Sequence, residues 1–402
     1  MRRPADNLDM KRSSDRIRTT HAGRLPVSPG LENLPVRLYL GEVVPPETIA
    51  EGVAYGVCRQ LDIGIDCVGD GEFWKARDFI YYDRHLTGLE RRMLRPGETG
   101  STRTNTRERD EFEQFYKDSD KAGTIFYVPG ERPTPPEREC TVAKGPIKSK
   151  GIGALAQEIA AFKAALARVG RPVDETFFCV IAPGWLDHFI YNEYYKTDEE
   201  FIFALAEALR EEYLAIVNAG FILQIDDPGL VDWWDMLKPA LSVDDYVGRF
   251  AKLRVEAINH ALAGIPEDKV RYHLCWGSWH GPHTHDLPFE HIVKLMLEVN
   301  AQCYSFEAAN VRHEHEWKLW QDVKLPDGKM ILPGVVSHST NLVEHPELVA
   351  ERIERFASAV GRENVIAGTD CGLGGRVHAE IAWAKLGALV EGARLASKRL
   401  WK

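Results

Sequence analysis

The residues in this sequence that most suggest metal chemistry are a histidine and a cysteine two residues apart. His273 and Cys275 belong to the run YHLCWG, and on a β-strand both side chains would point to the same side. Such a pair alone is equally typical of buried structural residues. Glu307 in SFEAAN and Cys371 in GTDCGLG extend the set to one nitrogen, two sulfurs and one oxygen. Soft thiolates in that set favour tetrahedral zinc over magnesium or calcium.

Further reactive side chains follow the ends of other apolar runs. They share a position just after a run with strand character: His21, Asp70, Glu72, Asp226, Asp227, His338 and Asp370. In an α/β barrel the carboxyl ends of the strands converge on one face, which carries the active site. We therefore expect these side chains to surround the candidate metal ligands.

Short β-rich runs alternate with longer stretches of helical periodicity, which predicts a parallel sheet with helical crossovers. The predicted strands are residues 16–23, 67–72, 176–183, 221–227, 270–276, 302–308, 330–338 and 364–371. Helices are predicted over 199–219 and 346–360. Eight strands in 402 residues predict a single α/β domain, a (β/α)₈ TIM barrel.

One long segment interrupts this alternation. Residues 85–150 are charged and rich in Pro, Gly and Thr, and irregular segments of that length are usually functional loops or mobile excursions. We interpret 85–150 as an insertion after the second strand, either a lid over the catalytic face or an arm used in self-association. Residues 1–15 are predicted to be a flexible tail, and 16–402 to form the barrel.

Composition excludes several classes of protein. A formal net charge of −10 argues against nucleic-acid binding, and no apolar run reaches the roughly 20 residues of a membrane span. The amino terminus has no apolar signal region, so we expect a cytoplasmic protein. Seven cysteines, an odd number scattered along the chain, predict reduced thiols.

Several motifs together resemble a known family. They are RTTHAGRLP (18–26), GDGE (69–72), APGWL (182–186), LQIDDP (223–228), YHLCWG (272–277), SFEAAN (305–310), GVVSHSTNLVEHPELVAERI (334–353) and GTDCGLG (368–374). The sequence is similar to the cobalamin-independent methionine synthase superfamily, and especially to its single-barrel branch that includes epoxyalkane:coenzyme M transferase. The resemblance implies that His273, Cys275, Glu307 and Cys371 bind zinc. It also implies that Asp226 contacts the substrate's amino group, with Glu72 at a similar substrate-binding position.

The sequence departs from that family at two points. A single predicted barrel contrasts with the two barrels of full-length methionine synthases, and APGWL differs from the pattern before their folate region, so methyltetrahydrofolate is not expected as donor. His338 falls one residue earlier than the family's histidine for proton transfer. On a regular strand that shift changes the face, so His338 is either a general acid or a structural histidine.

The combined prediction is a Zn²⁺-dependent transferase that activates a small thiol as a zinc thiolate for transfer of a methyl or epoxide-derived alkyl group. His338 and Asp226 are the candidate catalytic residues. The candidate substrate contacts are His21, Arg24, Glu72, Asp226 and Asp227. Partners are a small thiol and a small alkyl donor, and formation of a homo-oligomer is left open.

Three alternatives remain open from the sequence. One is a folate- or corrinoid-dependent methionine synthase that methylates homocysteine. The second is a non-catalytic barrel that binds zinc and thiols, and the third is a metal-free hydrolase that uses the carboxylates at the strand ends.

Overall fold

Eight parallel strands form the centre of the molecule. The computed structural model describes residues 10–34, 37, 42–72, 81–82, 84–96, 98, 106–123, 125 and 139–402. The strands run in the order β1, β11, β10, β9, β8, β7, β5 and β2. Their bounds are β1 Arg18–Thr19, β2 Cys67–Gly69, β5 Glu175–Ile181, β7 Ile222–Asp226, β8 Val270–Leu274, β9 Cys303–Phe306, β10 Met330–Val336 and β11 Ile366–Thr369. Each of these strands lies inside a predicted range, except that β5 begins one residue before its range. The predicted barrel is therefore confirmed.

The two end strands of this order, β1 and β2, are joined by a few hydrogen bonds around Asp66 rather than by a regular ladder. The backbone amide of Asp66 donates to the carbonyl of Thr19 at 3.1 Å, and the Asp66 carboxylate accepts from the Thr19 amide at 2.8 Å. The same carboxylate binds both terminal nitrogens of Arg16. This seam joins β1 to β2 and brings the eight strand ends into a ring.

Helices surround the strands, as the crossovers of a parallel barrel require. They are α1 Pro46–Ile63, α2 Arg107–Glu111, α3 Glu113–Ala122, α4 Gly153–Val169, α5 Pro183–Leu186, α6 Asp198–Asn218, α7 Gly229–Met236, α8 Val243–Asp245, α9 Lys252–Ala261, α10 Phe289–Met296, α11 Pro346–Val360 and α12 Ala379–Leu400. A π-helical turn, Tyr246–Ala251, joins α8 to α9, and 3₁₀ turns occupy Asp187–Phe189, Glu267–Lys269, Glu314–Gln321 and Arg362–Asn364. Among the described helices, none has the length and apolar character to cross a membrane.

The long helix α6 shows how the sequence specifies this outer layer. Thr197 caps its first turn by accepting from the amide of Glu200. Phe201, Leu205 and Leu209 recur at helical spacing and are buried, so they form the stripe that packs on the barrel. The helix predicted over 199–219 is therefore confirmed to within one residue.

The interior of the barrel at its amino-terminal end is unusually rich in sulfur. One buried cluster contains Met10, Cys67, Phe177, Cys179, Ile222, Cys303, Met330, Leu332 and Ile366. Met10 belongs to the segment predicted as a flexible tail, yet it is only 6% exposed, and the nearby Ser13 is fully buried. Residues 10–15 therefore pack against the barrel, because Met10 fills its amino-terminal opening. Residues 1–9 lie outside the described part.

The described parts of segment 85–150 add a small second sheet and two helices. Strand β3 (Leu89–Met93) pairs antiparallel with β4 (Glu139–Ala143), which pairs in parallel with β6 (Ile190–Asn192). At the base of the segment, Leu86 and Ser149 form an antiparallel bridge. The amide of Lys150 donates to the carbonyl of His85 at 2.8 Å. The two ends of the segment therefore lie side by side, and they are joined by the contacts of His85 with Lys150 and of Leu86 with Ser149.

Candidate metal centre and substrate cavity

Three of the four predicted metal ligands lie together at the carboxyl ends of the strands. His273 is on β8, Cys275 follows that strand, and Cys371 follows β11. One ligand atom from each lies within 4.8 Å of the others. The two sulfurs are 4.0 Å apart, close to the roughly 3.8 Å expected between two thiolates bound to one tetrahedral zinc. All seven cysteines are free thiols, as the sequence predicted.

The surroundings of His273 fit a metal ligand. Its Nδ1 lies 2.9 Å from the Oγ of Ser305 on β9. Its Nε2 is buried and makes no hydrogen bond of ordinary geometry among the described residues, although the ring interacts with the Cys371 thiol. A buried imidazole nitrogen without a partner is costly, whereas a metal-binding histidine leaves one nitrogen free and donates from the other. The donor set and its geometry therefore fit a zinc ion.

The two thiols influence each other strongly. Hydrogen bonding with Cys275 holds the pKa of the Cys371 thiol well below its ordinary value, and the same contact raises the pKa of Cys275. His273 and His338 lower the pKa of Cys371 further. These contacts therefore favour the thiolate form of Cys371, which is the chemical form that ligates metals.

Glu307, the fourth predicted ligand, lies in a neighbouring cluster. Its carboxylate groups with His338 and Asp370, whose ligand atoms lie within 4.8 Å of one another and are all buried. One oxygen accepts from the backbone amide of Trp276 at 2.9 Å and the other from Asn310 Nδ2 at 2.6 Å. Coordination by Glu307 stays a prediction, since both oxygens already have donors.

Burial decides the protonation state of His338. It lowers the pKa of the imidazole to about 4, so the ring is neutral near pH 7, and its Nδ1 has no partner among the described residues. The register between β10 and β11 shifts between Gly334 and Val336. An imidazole nitrogen of His338 lies within 4.8 Å of carboxylate oxygens of Glu307 and Asp370. Its role as general acid stays a prediction.

Beside the three ligands lies an open cavity of about 770 Å³. The ligands His273, Cys275 and Cys371 form part of its wall. The other lining residues are Ala22, Arg24, Glu72, Tyr82, Val180, Ile181, Trp185, Asp226, Pro228, Gly277, Ser278, Gly372, Gly374 and Arg376. A small molecule bound here would contact both the sulfurs and several charged side chains.

Two predicted substrate carboxylates share one wall of the cavity. Oxygens of Glu72 and Asp226 and the sulfur of Cys179 lie within 4.8 Å of one another. Glu72 has a positive φ of 56°, a conformation that costs a non-glycine residue about 1–2 kcal/mol. Its amide donates to Asp70 Oδ1 at 3.2 Å, which helps to hold this turn. Strain of this kind concentrates at functional sites.

The remaining predicted substrate residues divide between the cavity wall and the layer beneath it. Arg24 lines the cavity. His21 and Asp227 are buried and do not appear among its lining residues. His21 Nε2 bonds to Gln60, and Asp227 accepts from the hydroxyl of Tyr272 at 2.7 Å. Contacts of His21 and Asp227 with substrate stay predictions.

Sequence reasoning missed several polar groups at this site. Arg376 lines the cavity, and its Nε donates to Ser278 Oγ at 2.8 Å. The sulfur of Cys179 lies within 4.8 Å of the carboxylate oxygens of Glu72 and Asp226. Cys179 lies mid-strand in a run that indicated only a buried strand. Arg376 follows GTDCGLG closely, and its proximity to a candidate ligand was the signal that could have identified it.

The sequence matches a family model described as the catalytic domain of cobalamin-independent synthase, over residues 190–395. The chain belongs to this family. The matched region begins at β6 and includes the four predicted metal ligands, Asp226 and His338. The resemblance to the cobalamin-independent methionine synthase superfamily, based on the motifs, is therefore confirmed.

Curated relatives within the cobalamin-independent synthase family are described as methionine synthases. The chain is 26% identical to that of Saccharolobus islandicus (strain L.S.2.15) over 236 residues, 56% of this chain and 60% of the relative. It is 25% identical to that of Thermococcus kodakarensis over 224 residues, 55% of this chain and 57% of the relative. The chain thus aligns with somewhat less than two thirds of these relatives' length.

Solved structures extend the likeness over nearly the whole chain. The B12-independent methionine synthase of Shewanella sp. W3-18-1, solved with selenomethionine, superposes with a TM-score of 0.67 at 18% identity, covering 96% of this chain and 99% of that one. A putative B12-independent methionine synthase of Listeria monocytogenes gives 0.62 at 17% identity, covering 94% and 98%. At these identities the likeness concerns the fold of the synthase barrel.

Proposed function

We propose that this chain is a zinc-dependent transferase that moves a methyl or other small alkyl group to the sulfur of a small thiol. The observation that carries the proposal is the cluster of His273, Cys275 and Cys371 on the wall of an open cavity. Membership of the cobalamin-independent synthase family supports the same reaction class.

His273, Cys275 and Cys371 would hold the ion, with Glu307 beside them as the fourth ligand. Zinc bound there would favour the thiolate form of an incoming thiol, which otherwise has a pKa of about 8.5. Ser305 fixes the ring of His273 by its 2.9 Å contact with Nδ1. The amide of Trp276 and the side chain of Asn310 donate to the Glu307 carboxylate, so these two donors fix the position of its oxygens beside the proposed ion.

The charged wall of the cavity indicates what else the thiol carries. Glu72 and Asp226 would attract an ammonium group, while Arg24 and Arg376 would attract an anionic one. A thiol amino acid offers both groups. Homocysteine is therefore the first candidate, and the description of the curated relatives as methionine synthases favours it as well.

Metal analysis of purified variants tests the centre. Changing Cys275 or Cys371 to Ser replaces a soft thiolate by a weak hydroxyl ligand, so bound zinc should fall from about one equivalent to well below half. Cys58, a half-buried thiol on α1, provides the matched control, and Cys58→Ser should keep its zinc. Full zinc content in both ligand variants would defeat the assignment.

Product analysis then separates the remaining alternatives. The zinc-loaded enzyme is incubated with homocysteine, coenzyme M, glutathione or cysteine and with methyl and epoxide donors, and alkylated thiols are detected by mass spectrometry. Formation of a thioether that fails in Cys371→Ser supports the transferase. Zinc and thiol binding without any thioether would identify a non-catalytic barrel, and a metal-free protein with hydrolytic activity would identify a carboxylate hydrolase.

A further inference from the structure

A polar layer lies inside the barrel directly below the cavity. Gln224 on β7 is the register partner of Arg271 on β8, and two residues further along these strands Asp226 is the partner of His273. Because alternate residues of a strand point to the same side, Gln224 stands below Asp226 and Arg271 below His273. The exposed fraction of Arg271 is 2%, and Gln224 is fully buried.

Arg271 donates to three neutral acceptors. Its Nε donates to Gln224 Oε1 at 2.6 Å, Nη1 to Thr20 Oγ1 at 3.1 Å, and Nη2 to the carbonyl of His21 at 3.0 Å. The guanidinium also lies 3.8 Å from the ring centroid of Phe177, a favourable cation–π contact. Burying a charged side chain costs free energy unless hydrogen bonds compensate for the lost water. A buried arginine at this position therefore suggests a specific role.

The donors and acceptors fix the orientation of the Gln224 amide from both ends. The guanidinium of Arg271 can only donate, so the amide atom that faces it must be the oxygen. An ionised carboxylate can only accept, so the atom facing Asp226 must be the nitrogen. The observed contacts agree, with Gln224 Nε2 donating to Asp226 Oδ1 at 2.6 Å and to Cys179 Sγ at 3.3 Å.

We propose that Arg271, acting through Gln224, is a positioning residue that sets the Asp226 carboxylate to receive the ammonium group of the thiol substrate. This inference rests on the proposed function. Without Arg271 the Gln224 amide is free to turn and to present its oxygen to Asp226, which repels the carboxylate and displaces it from the cavity wall. The anionic end of the substrate and the metal ligands do not depend on this contact.

A purely structural role predicts different behaviour. Arg271 also ties β8 to the end of β1 through Thr20 and His21, so its loss lowers stability in either case. Stability alone cannot separate the two roles. The discriminating quantity is the selectivity between a thiol that carries an ammonium group and one that does not.

The experiment compares homocysteine with 4-mercaptobutyrate, which differs from it only in lacking the ammonium group, by calorimetric titration of the zinc-loaded enzyme. Arg271→Met and Gln224→Leu should each raise the Kd of homocysteine by at least about tenfold, the range expected for losing one charge-assisted hydrogen bond. Binding of 4-mercaptobutyrate and zinc content should stay unchanged. The double variant should lose no more than either single variant, because both act on one contact.

Arg18→Met is the matched control. Arg18 is also buried inside the barrel, but at its opposite end, where it pairs with Glu175 and Asp174. It should lose thermal stability and keep its preference for homocysteine. If Arg271→Met does not fold, Gln224→Leu alone carries the test.

Two results would overturn the positioning role. One is an equal loss of affinity for both thiols in Gln224→Leu, and the other is unchanged homocysteine affinity in that variant. A wild-type enzyme that binds neither thiol indicates instead that the proposed function is wrong, and the positioning role fails with it. The two failures are therefore distinguishable in one set of titrations.

Discussion

Ser305 is the residue that most directly supports the candidate metal ligands. Its Oγ lies 2.9 Å from His273 Nδ1; in the tautomer that carries its proton on Nδ1, Ser305 accepts that proton and Nε2 is left for the proposed ion. Hydrogen-bond partners of this kind typically change metal affinity 10–100-fold when removed. This contact could not be predicted from the sequence, because Ser305 gives no signal of its own in SFEAAN.

Changing Ser305 to Ala should weaken zinc binding by roughly 10–100-fold while the barrel stays folded. Competition with a chromophoric chelator measures the affinity. Ser13 is an equally buried serine that bonds to the carbonyl of Val365, and Ser13→Ala should leave zinc affinity unchanged. Equal zinc affinity in wild type and Ser305→Ala would exclude the supporting role.

His21 predicts a pH-dependent stability. Its pKa is lowered to about 4, mainly by burial and also by the charge of Arg271, while the hydrogen bond to Gln60 acts in the opposite direction. The unfolded chain, with a pKa near 6.5, therefore takes up a proton first as pH falls. Stability present above pH 6.5 is lost between about pH 6.5 and 4, by up to about 3 kcal/mol for this group.

The variant His21→Gln cannot take up that proton. Its free energy of unfolding should fall less steeply than that of wild type between pH 7 and 4.5, although its stability at pH 7 is lower. Urea unfolding at several pH values measures both slopes. Parallel slopes would show that His21 is protonated equally in the folded and unfolded chains.

At the scale of elements, the insertion docks on the loop that follows β8, the strand that carries the candidate ligand His273. Glu108 on α2 is almost fully buried and accepts from the backbone amide of Thr284 at 2.6 Å and from the hydroxyl of Tyr116. Trp279 Nε1 donates to the same hydroxyl at 3.1 Å. These contacts support the proposal that segment 85–150 is a lid over the catalytic face rather than an arm.

Replacing Glu108 by Ala should loosen this lid. The Thr284 amide and the Tyr116 hydroxyl lose their acceptor, at a cost of about 1–3 kcal/mol. Hydrogen exchange in α2 and α3 should rise and alkyl transfer should slow by roughly tenfold, while zinc content stays at one equivalent. Glu113→Ala, which removes only an exposed pair with Lys117, is the control.

An unchanged transfer rate in the loosened Glu108 variant would exclude the lid. Loss of self-association in its place would indicate the arm. The strands could be predicted from the sequence better than the insertion could. The insertion is held by contacts such as that between Glu108 and Thr284, which are 176 residues apart. The periodicity of a short stretch of sequence cannot indicate a contact between residues so far apart.

At the scale of the whole molecule, the barrel depends on the seam between β1 and β2. The Asp66 carboxylate accepts four hydrogen bonds there, two from Arg16, one from the Thr19 amide and one from the Thr19 hydroxyl. Asp66→Ala should lower the free energy of unfolding by about 1–3 kcal/mol and the melting temperature by a few degrees. Scanning calorimetry measures the change, and Asp62→Ala, which removes an exposed pair with Arg171, should change little.

Much of this architecture could be predicted because eight apolar runs alternate with helical ones, and strand ends of a barrel meet on one face. That rule was enough to bring His273, Cys275 and Cys371 together. It could not predict the Arg271–Gln224 pair, since polar residues inside a predicted strand indicate no partner. It also could not show that Glu307 already accepts two hydrogen bonds, because one donor is a backbone amide.

The sulfur-rich interior has a consequence for an enzyme that handles electrophiles. A chain that transfers alkyl groups is exposed to alkylation of its own thiols. Burial raises the pKa of Cys67 and of Cys303 to about 12, so these thiols remain protonated and unreactive toward electrophiles. In the proposed enzyme, Cys371, with its lowered pKa and its position at the cavity, would be open to attack in the metal-free protein. Metal loading would then serve as protection from self-inactivation as well as preparation for turnover.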